Sequence, residues 1–520
     1  MDTHTHITLA NVFGQQHFDF KMRAETAVTP DEKALVRLFS GLDYSAFRRH
    51  AGRPCKVDPL CMMILLVYGG MQGRYSSREL ETLLVKDIFL NKVFEGVRVD
   101  HNTINNFVKD HPAQIDDVFR QLVVKLSDLG EVGGRTVFQD GTKIESFAGR
   151  YTFKWKKAIL KLQPKAVADA RALVARAVAL GAEVGEHDGV AAQLRTVVSA
   201  FQDSVGPERG KGHRKNDRWR IHDQAGGLLA RLDDYRLYLH AIGDGRESCS
   251  RSDPDATFMH LKEDHMRNGQ LKPAYNVQNA VDSGYVVCCT VSSDRNDYHT
   301  AIGMLEKLAR SFPWKYHDYC ADSGYDTLEN FEYCREHGIN ALIYPHYWGK
   351  AKTRAFKNDP GKVENMAYDE KTDSFTCRKG HRLRFSSERK RKKGARECVR
   401  EYVCERGCRT CPFRSADRSI DKQTGFKHVS VMLGHMRARK EAQLRLSTRE
   451  GAEARLNRSI QAEGSFAEAK QNLDLRRFAS GGMQRVLTEW IIRAMAQDVV
   501  RFTCRSERGV TGKPFWISIA

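Results

Sequence analysis

Apolar positions recur at helical spacing through the first ~130 residues, then give way to alternation. Leu35, Val36, Leu38 and Phe39 fit one face of a helix opened by Pro30-Asp31-Glu32. A second helix is expected from Pro59 to Gly69, apolar on nearly every side and therefore buried. After the glycine-rich break at Gly69 to Gly73, Ser76 and Glu79 have the spacing of a capping box and start a helix through Leu83-Leu84. Asp100-His101-Asn102-Thr103 caps a short helix from Ile104 to Lys109, closed by His111-Pro112.

From Gly133 the pattern changes. Arg135 to Asp140 reads as a strand, and Thr142 to Phe147 alternates in polarity and either extends it or pairs with it. Residues ~155–205 are Ala-, Val- and Leu-rich with helical spacing, and Trp219 to Leu239 continues as helix after a basic break from Pro207 to Arg220. This stretch is a helical insertion between the first strand and the rest of a sheet. Ala274 to Val281 and Tyr285 to Val291 alternate around Asp282-Ser283-Gly284, a hairpin signal. A helix from about His299 to Ser311, a strand Tyr316 to Ala321, a helix Thr327 to His337 and a strand Ala341 to Tyr344 complete a mixed α/β sheet. Residues ~350–450 break the rhythm with a basic, cysteine-bearing segment, and two helices follow, about Leu456 to Asn472 and Met483 to Phe502, joined at Gly481-Gly482.

Composition narrows the partners. A chain of 520 residues with 41% hydrophobic and 29% charged residues is folded and divides into two to four domains. Its formal charge of +19 favours a polyanion, because a basic surface releases counterions from phosphates. Short helices joined by tight turns then resemble a helix-turn-helix module, in which Asn102, Thr103, Asn105 and Asn106 face base edges and Lys109 a phosphate. The other reading is a small bundle with polar helix ends. Met1 to Phe20 is polar, without the apolar region of a signal peptide, and the longest apolar run, Pro59 to Tyr68, falls short of the ~20 residues of a membrane helix. A cytoplasmic protein with no membrane partner is expected, its 13 cysteines reduced or metal-bound. His4 and His6 have no partner at metal-ligand spacing.

Three acidic residues stand in contexts that belong together: Phe138-Gln139-Asp140-Gly141-Thr142-Lys143, Ala321-Asp322-Ser323-Gly324-Tyr325 and Gln461-Ala462-Glu463-Gly464-Ser465-Phe466. An Asp-Gly or Asp-Ser-Gly step alone is usually a turn. Two strands ending in aspartates and a helix offering a glutamate bring hard oxygen donors together for divalent ions and phosphodiester chemistry.

These blocks, with Arg150 to Lys157, Ser252 to Met259, Gly269 to Gln278, and Phe466, Lys470, Arg476, Arg477 and Phe478, resemble in order the DDE transposases of bacterial insertion sequences. The region Ser76 to Asn106 is similar to their N-terminal domain. The resemblance implies a ribonuclease-H-like fold in which Asp140, Asp322 and Glu463 bind two Mg²⁺ (or Mn²⁺) ions, cut strands at the element's ends and join the freed 3′-hydroxyl to target DNA. It also implies terminal repeats and target DNA as partners, and a homodimer or larger assembly on DNA. Asp318, Asp326 and Asp297 are rivals of Asp322, and Glu453 and Glu468 of Glu463, whereas Asp282 is read as structural. Glu463 and Lys470 lie seven apart, on one helical face, so the lysine can hold a phosphate near the metals. Arg476 and Arg477 are assigned to the DNA backbone. Many relatives carry an arginine four residues before the glutamate; here Ser459 stands there and Arg458 is five before.

Cys377-x3-His381 and Cys404-x3-Cys408-x2-Cys411, with Cys398 between, resemble a zinc ribbon. Cys377, Cys404, Cys408 and Cys411 are the expected Zn²⁺ ligands with His381 as substitute; reduced cysteines in a basic loop are the other reading. Arg382 to Arg400 carries nine lysines and arginines against two glutamates, a block normally solvated or disordered that here adds affinity for DNA. The expected architecture is α/β: a helical DNA-end-binding domain over 1–130, a ribonuclease-H-like mixed sheet over 131–345 with a helical insert at about 155–245, the cysteine-bearing insert over 346–450, and the glutamate helix with a C-terminal helix over 451–520. Two alternatives stand beside the transposase: a metal-dependent nuclease without strand transfer, and a non-catalytic, transposase-derived DNA-binding protein.

Overall fold

Reciprocal caps start the first helices. Thr29 N donates to Glu32 Oε2 at 2.7 Å while Glu32 N donates back to Thr29 Oγ1, opening α1 (Pro30–Phe39). The computed structural model describes residues 28–47, 57–185, 188–204, 216–261, 269–390, 396–404, 406, 408–467 and 475–519. Helix α2 (Pro59–Met71) is buried from Met62 to Gly70, α3 (Ser77–Lys86) starts at the Ser76–Glu79 capping box, and α4 (Ile88–Val93) follows. Helix α5 (His101–Asp110) is capped by Asp100, whose Oδ1 accepts from Thr103 N at 2.8 Å. Pro112, read as closing that helix, instead opens α6 (Pro112–Asp128) at its first position, where a missing N–H costs nothing.

The chain then lays down β1 (Thr136–Glu145), β2 (Phe153–Trp155), α7 (Lys156–Ala179), α8 (Val190–Ala200), α9 (Asp217–Ile242), β3 (Ser248–Ser250), β4 (Thr257–His260), β5 (Leu271–Asp282) and β6 (Tyr285–Ser292). It continues with α10 (Thr300–Ser311), β7 (Asp318–Ala321), α11 (Leu328–Glu336), β8 (Asn340–Ile343) and the short helices α12 (Trp348–Ala351) and α13 (Arg354–Asn358). Strand β1 lies mid-sheet, antiparallel to β5 and parallel to β7, with β8 parallel beyond β7 and both β4 and β6 antiparallel to β5. This mixed sheet with flanking helices is consistent with the ribonuclease-H-like expectation. Ser283 and Gly284 both have positive φ (55° and 84°), the requirement of a two-residue hairpin turn between β5 and β6.

Helices α7 to α9 form the insert around a separate core that includes Ala170, Leu173, Leu194 and Ile221. Strands β2 and β3 pair where it leaves and returns. The cysteine-bearing segment is a five-stranded antiparallel sheet, in order β13 (Lys427–Val431), β12 (Cys398–Cys404), β11 (Arg382–Lys390), β10 (Ser374–Thr376) and β9 (Ala367–Asp369), around Phe375, Leu383, Tyr402 and Val429. The basic block expected to be solvated or disordered thus supplies a regular pair, β11 and β12, because Leu383 and Tyr402 give it an apolar anchor. Three helices follow rather than two: α14 (Leu433–Leu446) against β8, α15 (Arg449–Ala467) across β1, β5 and β7, and α16 (Met483–Glu507). Helix α16 packs on β6 and also on α1, α2 and α6, so the N-terminal helices and the sheet share one core. Among the described residues no helix is long and apolar enough to cross a membrane, and the described cysteines are free thiols.

Candidate active site

Parallel pairing brings the two aspartates together. The last registered pair of β1 and β7 is Gln139 with Ala321, so Asp140 and Asp322 come next on adjacent strands, whose spacing is about 4.8 Å. Strand β1 runs on through Asp140 to Glu145 because its pairing with β5 continues to Ala274. Asp322 caps the turn that follows β7, its Oδ1 accepting from Gly324 N at 2.7 Å.

Helix α15 delivers the third acid. Arg458, 7% exposed, holds its Nη1 3.9 Å from Asp140 Oδ1 and donates from Nη2 to Glu463 Oε1 at 3.0 Å. Its guanidinium lies over the Tyr344 ring, 5.3 Å from the centroid. Burial works to lower the pKa of Arg458, but Asp140, Tyr344 and Asp322 outweigh it and hold the group above its ordinary value. Glu463 keeps 56% of its side chain exposed. Two of the acids, Asp140 and Glu463, therefore reach one arginine, and Asp322 acts on it electrostatically without a direct contact. Among the described residues no three Asp, Glu, His or Cys side chains already stand close enough to enclose a metal ion. The donor chemistry suits Mg²⁺ all the same, since a few carboxylates with water and substrate phosphate suffice. Gly324 lies close against Asp322: a Cβ there would stand 2.9 Å from its Oδ1.

The rivals have other partners. Asp318, at the opposite end of β7, accepts from Thr136 and Asn340. Asp326 is buried and accepts from His435 Nε2 at 2.8 Å, Arg439 Nε at 2.9 Å and His346 N at 2.8 Å. Asp282 accepts from Gly133 N and Gly134 N at 3.2 and 2.7 Å, and burial pushes its carboxyl pKa up. Glu453 anchors the C-terminal tail through Trp516 Nε1 and Ile519 N. Asp253, within the Ser252 to Met259 block, binds Ser146, Tyr275 and Gly482 and is structural. Glu468 lies outside the described residues.

On α5, Asn102, Thr103, Asn106 and Lys109 are exposed along one side. Asn105 differs from expectation: its Oδ1 accepts from Arg485 Nη2 of α16 at 2.7 Å, which turns it toward the C-terminal helix. Arg477, expected at DNA, donates instead to the carbonyls of Ser146, Phe147 and Ala148 and so closes the end of β1. Sequence spacing gave no hint of this, because 329 positions separate Arg477 from Ala148. Arg476 is exposed, and Lys470 lies outside the described residues.

In the inserted sheet, Cys404 and Cys408 share one core with Cys377 packed against it. Burial first, then Cys404, pushes the Cys408 thiol up to about 12. Cys411 follows one turn later, its N donating to Cys408 O, and Cys377 N donates to His381 O at 2.9 Å. Cys398 sits at the far end of β12 from Cys404. Thiolates suit Zn²⁺, but Cys377, Cys404 and Cys408 only share the packing of this core and are not drawn together around an ion.

Residues 376–503 match the family model described as Transposase DDE domain. The match takes in most of the inserted sheet, α14, α15 with Glu463, and most of α16. No curated protein and no solved structure gives a significant match.

Proposed function

We propose that this DDE-type transposase of an insertion element, so identified over residues 376–503, cuts DNA strands at the element's ends and joins the freed 3′-hydroxyls to target DNA. The single observation that supports the reading is that Arg458 bridges Asp140 and Glu463, 323 positions apart, while Asp322 follows β7 on the strand beside Asp140. Mg²⁺ or Mn²⁺ held by these carboxylates would activate an attacking oxygen and stabilise the departing one. The chain's own groups do the rest. Arg458 ties Glu463 to the sheet and offsets the charge on Asp140. Gly324 N fixes the orientation of Asp322. The exposed side of α5, with Asn102, Thr103, Asn106 and Lys109, faces the terminal repeat, and Arg476 and the basic strand β11 take the phosphate backbone. Two ends are held by a homodimer or larger assembly, and the work is done in the cytoplasm. In the same reading Cys377, Cys404, Cys408 and Cys411, with His381 as substitute, hold Zn²⁺ and lock the inserted sheet; the metal content of the purified chain tests this.

Purified protein with Mg²⁺ and its terminal-repeat DNA is expected to release 3′-hydroxyl ends and produce joined molecules. Asp140→Ala should abolish both while binding persists. Cleavage by that variant would sink the assignment, and cutting without joined products would make the protein a nuclease only.

A further inference from the structure

Resting on the reading above, we infer that Asp297 is a fourth carboxylate of the same cation site, an oxygen donor beside Asp322 that the three acidic blocks do not contain. Asp297 begins the turn ahead of α10. Two amides of β5 fix it: Asn276 Nδ2 and Gln278 Nε2 both donate to Oδ1 at 2.8 Å. Gln278 is itself immobilised, its Oε1 accepting from Gln139 Nε2 at 2.8 Å and from Tyr325 OH. Both amides therefore act on one oxygen, and the other is turned toward Gly324.

At Gly324 the two acids meet. A Cβ there would stand 3.1 Å from Asp297 Oδ2 and 2.9 Å from Asp322 Oδ1, so the two oxygens border one small space. Gly141, next to Asp140, would carry its Cβ into Gln278 Nε2 and to 2.8 Å from Asp297 Oδ1. Neither glycine has a positive φ, so the backbone does not demand glycine at these positions. What a side chain would strike is the Asp322–Asp297 pair and the amide that holds it. Beside Asp297 lies a cleft of about 140 Å³, lined by Gly141, Asn276, Asp297 and Gly324 but not by Asp140 or Asp322, with Arg295 and Lys143 in its wall to meet a phosphate. An aspartate needed only to accept the two amides would be replaceable by asparagine, which keeps that oxygen. An aspartate needed as an ion donor would not.

The test is a titration of the full chain with Mn²⁺ in the absence of DNA, followed by thermal unfolding and by the paramagnetic signal of bound ion. Cleavage of terminal-repeat DNA at limiting and high Mg²⁺ is measured in parallel. Asp297→Asn is expected to melt with the parent in EDTA, to need at least about tenfold more Mn²⁺ for half-saturation, and to recover cleavage in part at high Mg²⁺. Gly324→Ala, which fills the space without touching either acid chemically, should show the same weakened binding and serves if Asp297→Asn does not fold. Unchanged half-saturation in either folded variant overturns the fourth donor. Its failure is separable from failure of the transposase reading: an inactive Asp140→Ala beside a normal Asp297→Asn removes only Asp297, whereas an active Asp140→Ala removes the reading itself.

Discussion

A guanidinium buried among carboxylates is tolerable only while they pair with it, and Arg458 depends on two partners of different quality. Its bond to Glu463 reaches a half-exposed carboxylate, while Asp140 faces it at 3.9 Å and its Nε and Nη1 have no hydrogen-bond partner. Arg458→Met should therefore lower stability by about 3 kcal/mol, the low end for breaking a buried pair, read from urea unfolding, and should free Glu463 from the sheet with loss of cleavage. Asp326 is better satisfied. Burial tends to raise its pKa, but His435 and Arg439 outweigh that and hold it below the ordinary carboxylate value. Protonation is thus disfavoured in the folded state: the stabilisation is present above the unfolded value of about 3.9 and is lost as pH falls through the folded one. Asp326→Asn is expected to cost about 3–5 kcal/mol near neutrality, with the gap to the parent closing below about pH 4. Urea midpoints measured across that range check it, and a pH-independent gap would contradict the ion-pair account. Neither arginine contact was legible from spacing, since residues five apart on a helix do not share a face and the Asp326–Arg439 pair spans 113 positions.

Elements place these residues, and α14 and α15 come close together at Gly451. A Cβ on Gly451 would strike Arg445 O and lie 2.7 Å from Leu446 Cα, both backbone atoms of the preceding helix and its end. Gly451→Ala must push α15 outward, and Glu463 with it. A loss of about 1–3 kcal/mol in thermal unfolding together with reduced cleavage is expected; full activity would show that the helix has room to spare. Elements whose chemistry is local were readable in advance. The Asp282-Ser283-Gly284 turn announced its hairpin, and the capping box at Ser76 announced its helix. Helix α14 was not, because of its 14 residues only Leu433, His435, Ala442 and Leu446 are buried and the rest are largely charged or polar. Strand β11 hid for a related reason: Leu383 is its single buried residue, so no alternation marks it. Asp140, Asp322 and Glu463 stood out through their neighbours in sequence. Asp297 entered only as a rival of Asp322, because what recommends it beside that residue is a pair of amides on another strand.

For the whole molecule, the formal charge of +19 makes binding to any DNA strongly salt-dependent, with a log–log slope of about −0.9 for each phosphate neutralised. Anisotropy titrations at several salt concentrations check this, and a flat response would leave the charge without a role in affinity. The helical insert is separable in a way the N-terminal helices are not. It has its own core, and its two ends meet where Lys156 N donates to Glu247 O at 2.9 Å. Replacing residues 157–246 by a short turn should leave one cooperative unfolding transition for the remainder. The N-terminal helices have no such independence, because α16 fills the space between them and β6, with Trp490 donating to Asn279 of β5 at 2.7 Å. On the ribosome this has a temporal meaning: the nascent polypeptide emerges with its first strand and both aspartates long before α15 and α16 exist. Products of interrupted translation would expose apolar surface and lack the glutamate, so they are expected to be cleared by proteolysis rather than to damage the genome.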